Sequence, residues 1–422
     1  MIINLEKTLQ TPSKYDKKNT TLKNTSHSHK LLKDMLPTRQ LEAWKYTDLT
    51  NIYQKFLINC VKTREENNYN KLLGELNLSG EAHYFVFING ILARADQHPS
   101  IVFDKTLPAF DLHEDIKHST MCLAQERAIA GFHLQIKERV TLEQPIHIYY
   151  VQSDNSDQKV VNYQNFIELL SGSRCQVYEN FISTSDQYSA ININTKVNLA
   201  ENSHYCYDYV SNKQQRNLVL TNAITATLSK YAQFDTFHLS GDSALTRFDF
   251  IIDLIAQGAV FNGKGGCVIS DNSHSDYHFY INHLASDTSS KIDFRSIAGG
   301  KSTVVFNANG HVIQGVKNVQ ILQNNRNIQL TDHAKINTKP ELEIYSDGSV
   351  CTHAATIGAL DPKALLYLQA RGVSYEKSTQ LLLEGFIKAI ITELKKPSKT
   401  IHNYSKILKE KLLALKPLPP KS

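Results

Sequence analysis

Apolar and polar residues alternate in short runs through the middle of this chain. Ala190-Ile191-Asn192-Ile193-Asn194 and Phe248-Asp249-Phe250-Ile251 are two examples. A period of two is the mark of a half-buried β-strand. Small and turn-forming residues separate the runs: Ser171-Gly172-Ser173, Gly241-Asp242-Ser243, Asn262-Gly263-Lys264-Gly265-Gly266 and Ala298-Gly299-Gly300. Each reads as a corner. Leu142, Leu170, Leu199, Leu228, Ile255 and Leu284 open loosely similar phrases, at spacings of 28, 29, 29, 27 and 29. A fixed period of this size marks a stacked repeat. Two strands per unit, joined by tight corners, predict a β-solenoid whose coils stack at roughly 4.8 Å. No coil of such a stack is stable alone. A long antiparallel meander in a sandwich shows the same local alternation and stays open at this level.

Both ends switch pattern. Residues 1–30 are polar, rich in Lys, Asn, Thr and Ser. Leu36-Pro37-Thr38 then opens a helical stretch, Pro being favoured at a helix start. Arg39 to Thr47 follows, and Trp44 is expected to plug this region onto the next layer. After Gly358, Asp361-Pro362 reads as an N-cap followed by Pro at the first helical position. The predicted helix Lys363–Ala370 stops at Arg371-Gly372. Ser374 caps a longer one through about Leu394, where Leu382, Phe386, Ile390 and Leu394 lie beside Leu383, Ile387 and Ile391 in two apolar rows. A last helix covers about Lys399–Leu415, ended by Pro417 to Pro420. The predicted division is an N-terminal helical or mixed region over 1–135, a β-solenoid core over 136–350 and a C-terminal helical domain over 351–422. The apolar helix face is expected to cover the open end of the solenoid.

Composition narrows the function. The net charge of +5 is small for 422 residues and does not argue for nucleic acid; the positive excess sits at Lys14–Lys33 and Lys395–Lys421. No apolar run reaches 18 residues, so no transmembrane helix is expected. The start of the chain carries no apolar signal segment. The six cysteines, Cys60, Cys122, Cys175, Cys206, Cys267 and Cys351, are far apart with no Cys-x-x-Cys, which points to a reducing cytoplasm and away from a local four-cysteine metal site. Asn262 to Gly266 lacks the P-loop spacing, and no G-x-S-x-G occurs, so neither ATP hydrolysis nor serine hydrolase chemistry has support.

The prime chemical candidates are Cys351 and His353. Two residues apart on a strand, they project to one face. Thiolate and imidazole both bind iron, and mixed ligation tunes potential and lability. The residues themselves leave two readings open: metal ligands at a strand end, or a buried thiol beside a hydrogen-bonded imidazole. Glu341 and Glu343 alternate onto one face and are placed to assist. His274, His278 and His283 lack an H-E-x-x-H arrangement, and are read as structural or partner-facing.

A family resemblance bears on this choice. Thr338-Lys339-Pro340-Glu341-Leu342-Glu343-Ile344-Tyr345, Cys351-Thr352-His353, Ala355-Thr356-Ile357-Gly358, Tyr367-Leu368 and Arg371-Gly372 resemble the C-terminal signature of the SufB/SufD family, in its SufD branch. Arg39 with Trp44-Lys45-Tyr46-Thr47 resembles the family's N-terminal motif. One departure is visible: Ala354 stands where the family usually has Gly. The resemblance implies a right-handed parallel β-helix core flanked by helical regions. It implies a non-catalytic scaffold for iron–sulfur cluster assembly that pairs with SufB, docks the SufC ATPase and shares a transient nascent cluster with SufB through His353 and Cys351. It also implies a link of the complex to reduced flavin, a homodimer where SufB is lacking, and a SufC contact within 361–394, with Asp361, Tyr367, Arg371, Leu382, Phe386 and Ile390 as partner-facing positions. The competing reading is a β-helix protein that binds or cleaves polysaccharide, which requires paired carboxylates in register; Asp249, Asp253 and Asp293 are scattered singles. A third is SufB itself, against which the Lys339-to-Tyr345 wording and the shorter chain speak.

Overall fold

The computed structural model describes residues 36–49, 69–76, 78, 80–107, 120–153, 160–184, 188–211, 215–394 and 396–415. The polar stretch 1–30, Cys60 and Pro417 to Pro420 lie outside the described residues. Sheet A runs, in spatial order, β2 (Ile91–Ala95), β1 (His83–Ile88), β5 (Ile146–Gln152), β7 (Arg174–Ser183), β9 (His204–Val210), β11 (Gln233–Ser240), β13 (Val260–Ile269), β15 (Ser289–Ala298), β17 (Gln320–Gln329) and β19 (Val350–Gly358). Sheet B runs β3 (Ile101–Asp104), β4 (Ala130–Ile136), β6 (Val160–Leu169), β8 (Ser189–Leu199), β10 (Gln215–Leu228), β12 (Ser243–Leu254), β14 (His274–His283), β16 (Thr303–Val312) and β18 (Lys335–Ile344). From β4 onward the chain alternates between the sheets, and neighbours within each sheet are parallel. This is a β-solenoid and rules out the antiparallel meander. The two antiparallel pairs, β1 with β2 and β3 with β4, lie at the N-terminal end. The sheets thus reach beyond 136–350, back to His83 and on to Gly358.

The register refines the repeat. Leu169, Leu199, Leu228 and Leu254 pair in one column, continued by His283, Val312 and Ile344. Leu170, Ile255 and Leu284 stand one residue past it, in the corner, and Ile255 is 46% exposed. A slip of one residue moves a side chain to the other face. The corner that follows each strand of sheet B from β4 to β18 holds a residue of positive φ: Arg139, Gly172, Asn202, Tyr231, Gly258, Asp287, Asn318 and Gly348. Gly258 is constrained twice, since its φ is +74° and an added Cβ would lie 2.1 Å from the Tyr231 ring.

Inward residues form a column of stacked rings. Tyr150 stacks on Phe87 and Phe181 at 5.8 and 5.2 Å, and Phe250 on Phe279 at 4.9 Å. Such pairs add to area burial. Glu179 lies among them, 2% exposed, accepting hydrogen bonds from Tyr150 Oη (3.0 Å), Tyr207 Oη (2.6 Å) and Asn222 Nδ2 (2.8 Å). Burial raises its pKa, and the three donors counter that.

Both outer faces are covered in part by distant segments. On sheet B, a 3-10 turn at Glu42–Trp44 sets Leu36, Trp44 and Leu49 against Val160, Ala190, Val219 and Leu245, joined by Leu123 of helix α2 (Thr120–Arg127). The Arg247 guanidinium lies 3.5 Å from the Trp44 ring centroid, as expected of a plugging Trp. Arg247, 1% exposed, donates to Asp249, to Asp276 (2.7 Å) and to the Ala43 carbonyl (2.9 Å). Asp276 also accepts from Thr47 Oγ1 at 2.5 Å, and its carboxyl is held well below the usual range against its burial, chiefly by Arg247. On sheet A, helix α1 (Tyr69–Glu75) packs on Tyr84, Val86 and Ile88 of β1.

Helices α3 (Pro362–Ala370), α4 (Tyr375–Thr392) and α5 (Ser398–Ala414) follow β19. Asp361 and Ser374 cap α3 and α4 through their side chains, and Gly372 ends α3 with φ +83°. Here one expectation is corrected. α4 and α5 do not cap the end of the solenoid; Leu383, Ile387, Ile390, Ile391, Tyr404, Leu408 and Leu412 pack on its flank, against Phe237, Leu239, Val268, Ile297 and Ile328 of sheet A. Asn262 to Gly266 is likewise not a corner. It lies within β13, where an added Cβ on Gly266 would meet the Arg295 carbonyl at 2.4 Å and Ile387 at 2.9 Å. The glycine allows the close approach of sheet and helix. No described helix is long and apolar enough to cross a membrane.

Two outcomes follow. Arg247→Ala leaves Asp276 buried without its cation, and is expected to cost about 3–5 kcal/mol; an unchanged urea midpoint would refute the role. The Lys411 amine is wedged against Gly241, and burial pulls it down to about 8. The unfolded amine holds its proton to about 10.4. Between these values the unfolded state binds more protons, so stability rises with pH from about 8 to about 10. Lys411→Met is expected to stabilise the protein at neutral pH and flatten that rise, read from urea midpoints across the range.

Candidate functional site

The site is built where coil stacking stops. β18 and β19 are the last strands of their sheets. Ile321 pairs with Cys351 and Gln323 with His353. Ile321 and Gln323 are inward residues, each 2% exposed, so Cys351 and His353 occupy the inward face of the final coil. No further coil covers it among the described residues, and every residue of β19 but Cys351 is exposed. The two side chains lie neither in mid-core nor on the outer flank. They stand at the mouth of the solenoid, about 6.6 Å apart along the strand at about 3.3 Å per residue.

The mouth mixes apolar and polar groups. Ile344 (41% exposed) and Ile357 (46%) take positions that an additional coil would bury. Tyr345 and Val350 are more exposed still, at 61% and 69%. One coil deeper, the aromatic column gives way to Gln323, Asn325 and Asn327, all buried. Gln323 Nε2 donates to the Glu341 carbonyl and Asn327 Nδ2 to the Thr356 carbonyl, while Gln323 Oε1 and Asn327 Oδ1 accept nothing from the described residues. Buried acceptors of this kind call for a further donor. Cys351 packs beside Val312, Val316, Val319 and Ile321, and this burial pushes its thiol up, opposed by a backbone hydrogen bond with Ile321. The isolated Cys351 is therefore a neutral thiol at pH 7. Pro340 sits in β18, an edge position where its missing N–H is tolerated.

Other sequence candidates fall elsewhere. Glu341 and Glu343 pair with Asn309 and His311 on the outer face of sheet B, away from Cys351 and His353. His274 contacts Thr47 Oγ1 at 3.0 Å, His278 Nε2 lies 2.8 Å from Asp276 Oδ1, and His283 bonds Thr288 and Ser290. All three are structural. Asp249 pairs with Arg247, Asp253 accepts from Asn282, and Asp293 lies in the other sheet. They form no carboxylate row for a polysaccharide.

On the helices, Asp361, Tyr367 and Arg371 are exposed, and the Arg371 guanidinium stacks 4.6 Å from the Tyr367 ring centroid. Leu366 beside them is 68% exposed. Leu382 is half-buried. Phe386 packs on sheet A, and its carbonyl accepts from Arg295 Nη1 at 2.6 Å. Ile390, expected to face a partner, is fully enclosed against sheet A and has no surface to offer, because the apolar row it belongs to serves the chain's own flank.

A second His/Cys grouping was not singled out from the sequence. His204 and Cys206 share the outer face of β9, and register places Asp235 of β11 beside Cys206. His204 Nε2 is 2.7 Å from Asp235 Oδ2 and 3.4 Å from Cys206 Sγ. The signal was present: the spacing is that of Cys351 and His353, and Asp235 stands one repeat later.

Comparison with known proteins gives a consistent result. Residues 150–386 match the SufBD core domain of the SUF system for iron–sulfur cluster assembly. The iron–sulfur cluster assembly protein SufD of Escherichia coli is 24% identical over 382 residues, covering 87% of this chain and 88% of its own. SufD of Bacillus subtilis is 25% identical over 311 residues, covering 73% and 70%. An iron–sulfur cluster assembly SufBD family protein of Synechocystis is 23% identical over 389 residues, covering 85% and 84%.

Proposed function

The chain belongs to the SufBD core family of the SUF iron–sulfur cluster assembly system, and from that premise we propose that it is a non-catalytic scaffold whose open solenoid end pairs with SufB around a nascent cluster. The observation that carries the reading is the mouth at β19, where Cys351 and His353 stand on an inward face that no further coil covers among the described residues. A strand edge of this kind accepts another strand, with backbone hydrogen bonds giving affinity and side chains giving specificity. Ile344, Val350 and Ile357 supply apolar surface for that seam.

Two ligands cannot hold an iron–sulfur cluster, which takes four protein ligands. In this reading SufB brings the others. The cluster is cargo, so weak and mixed ligation suits the task. The Cys351 thiol loses its proton only when iron arrives beside it, and His353 offers a neutral nitrogen that releases iron more readily than a thiolate does. SufC is assigned to α3, where Leu366, Tyr367 and Arg371 form an exposed patch. The route from α3 to the mouth is short: through α4 and the Phe386–Arg295 hydrogen bond to β15, two strands from β19.

The test is co-expression with SufB and SufC, with mass and visible absorption of the purified assembly. His353→Ala is expected to leave the mass unchanged and to lower cluster absorption to less than half; a normal cluster yield would remove His353 from the role. Tyr367→Asp, at an exposed position where stability changes stay within about 0.5 kcal/mol, is expected to reduce SufC capture by the SufB-paired chain. Undiminished capture would move the SufC contact away from α3.

A further inference from the structure

We propose that His204, Cys206 and Asp235 form a second metal site, on the outer face of sheet A, for one borderline-soft divalent cation such as zinc or ferrous iron. The site is independent of the proposed function. It lies five strands from β19, about 24 Å at about 4.8 Å per strand, and on the opposite face of the sheet.

The geometry is that of an assembled donor set. One ligand atom from each residue lies within 4.8 Å of the others. Bonds of about 2.0–2.3 Å in a tetrahedral site separate ligand atoms by about 3.3–3.8 Å. His204 Nε2 and Cys206 Sγ are already 3.4 Å apart. Nε2 and Asp235 Oδ2, at 2.7 Å, share a proton where a cation would sit, and need only part slightly to admit it.

The surroundings hold these ligands in place. Asp235 accepts from Asn262 Nδ2 at 2.7 Å and from Gln233 Nε2 at 2.8 and 2.9 Å. Outer hydrogen bonds of this kind orient metal-binding carboxylates. Lys396, a largely buried cation that interacts with Cys206, is neutralised by Asp208 at 2.6 Å, an acid that also accepts from Tyr404 and Gln176. His204 and Asp235 keep 28% and 33% of their side-chain surface, so a cation can enter and water can complete its shell. Binding displaces the Cys206 thiol proton and the proton between His204 and Asp235. Thiolate, carboxylate and neutral imidazole then give a site without net charge. Three protein ligands and one open position match exchangeable zinc or ferrous sites, not closed structural ones. The competing account is a plain His204–Asp235 ion pair with Cys206 as a bystander.

The test titrates cobalt into the chelator-treated full-length chain. The expected result is one equivalent bound, with a near-ultraviolet thiolate-to-cobalt band and the visible bands of a tetrahedral site, both bleached by zinc. Cys206→Ser is expected to abolish the thiolate band. Asp235→Asn, which keeps the shape but turns one acceptor oxygen into a donor, is expected to weaken binding about tenfold or more. Circular dichroism of each metal-free variant checks that the solenoid is intact. The double variant Cys351→Ala with His353→Ala is expected to keep band and stoichiometry, which separates this site from the mouth. The proposal is overturned if the unsubstituted chain gives no thiolate band, if the band survives Cys206→Ser, or if it vanishes with the Cys351 and His353 substitutions.

Discussion

Parallel stacking sends every inter-strand hydrogen bond along the solenoid axis, so each coil depends on the next and the last coil depends on something outside the stack. At the N-terminal end the outermost strands, β2 and β3, run antiparallel to β1 and β4 and so break the parallel stacking. At the other end β18 and β19 finish both sheets with their edges free among the described residues. Exposed edges are a liability that proteins commonly blunt or cover. Three described helices follow β19, and two of them lie along the flank instead. The end left uncovered by those helices is the one that carries Cys351 and His353.

The flank is where the chain spends its own apolar surface. Glycine at 266 lets α4 sit directly on β13, and Tyr404 stacks on Phe237 at 5.0 Å. On sheet B the Trp44 turn is held by a buried cation between two carboxylates, Asp249 and Asp276. A buried ion pair adds little stability compared with apolar packing, but it strongly penalises any misplaced partner. Arg247 therefore fixes where the N-terminal segment docks more than how tightly. Both attachments join residues more than a hundred positions apart, while the mouth is left with exposed apolar groups and acceptors that no described residue satisfies.

The solenoid and the helix caps were legible because each rests on a local rule. Alternation gave the strands, the period gave the coils, and Asp361-Pro362 and Ser374 marked helix starts that the side-chain caps bear out. Register was harder. Leu170, Ile255 and Leu284 are apolar neighbours of the true column, and nothing in a single sequence says which of two adjacent positions faces inward. Glycine misled at 263–266 because turn formation and close approach select the same residue. The docking of α4 on the flank was hidden for a further reason: an apolar row shows that a helix will be covered, but not by what. Ile390 could be assigned to a partner or to sheet A with equal justice until the outer stripe from Phe237 to Ile328 was in place.

The two His/Cys pairs show what a solenoid does to such local readings. His204 with Cys206 and Cys351 with His353 share one spacing, and each pair projects to one face of a strand. Their chemistry is decided a full repeat away. One repeat after Cys206 the chain supplies Asp235, and the outer grouping is complete within a single molecule. One repeat after Cys351 the chain is helical, so among the described residues the inward pair has no further strand beyond β19 from which to draw a third ligand. A donor pair on a terminal coil is thus incomplete by construction. Whatever fills the remaining coordination positions has to approach along the axis, and a second strand-edged subunit has the shape to do so.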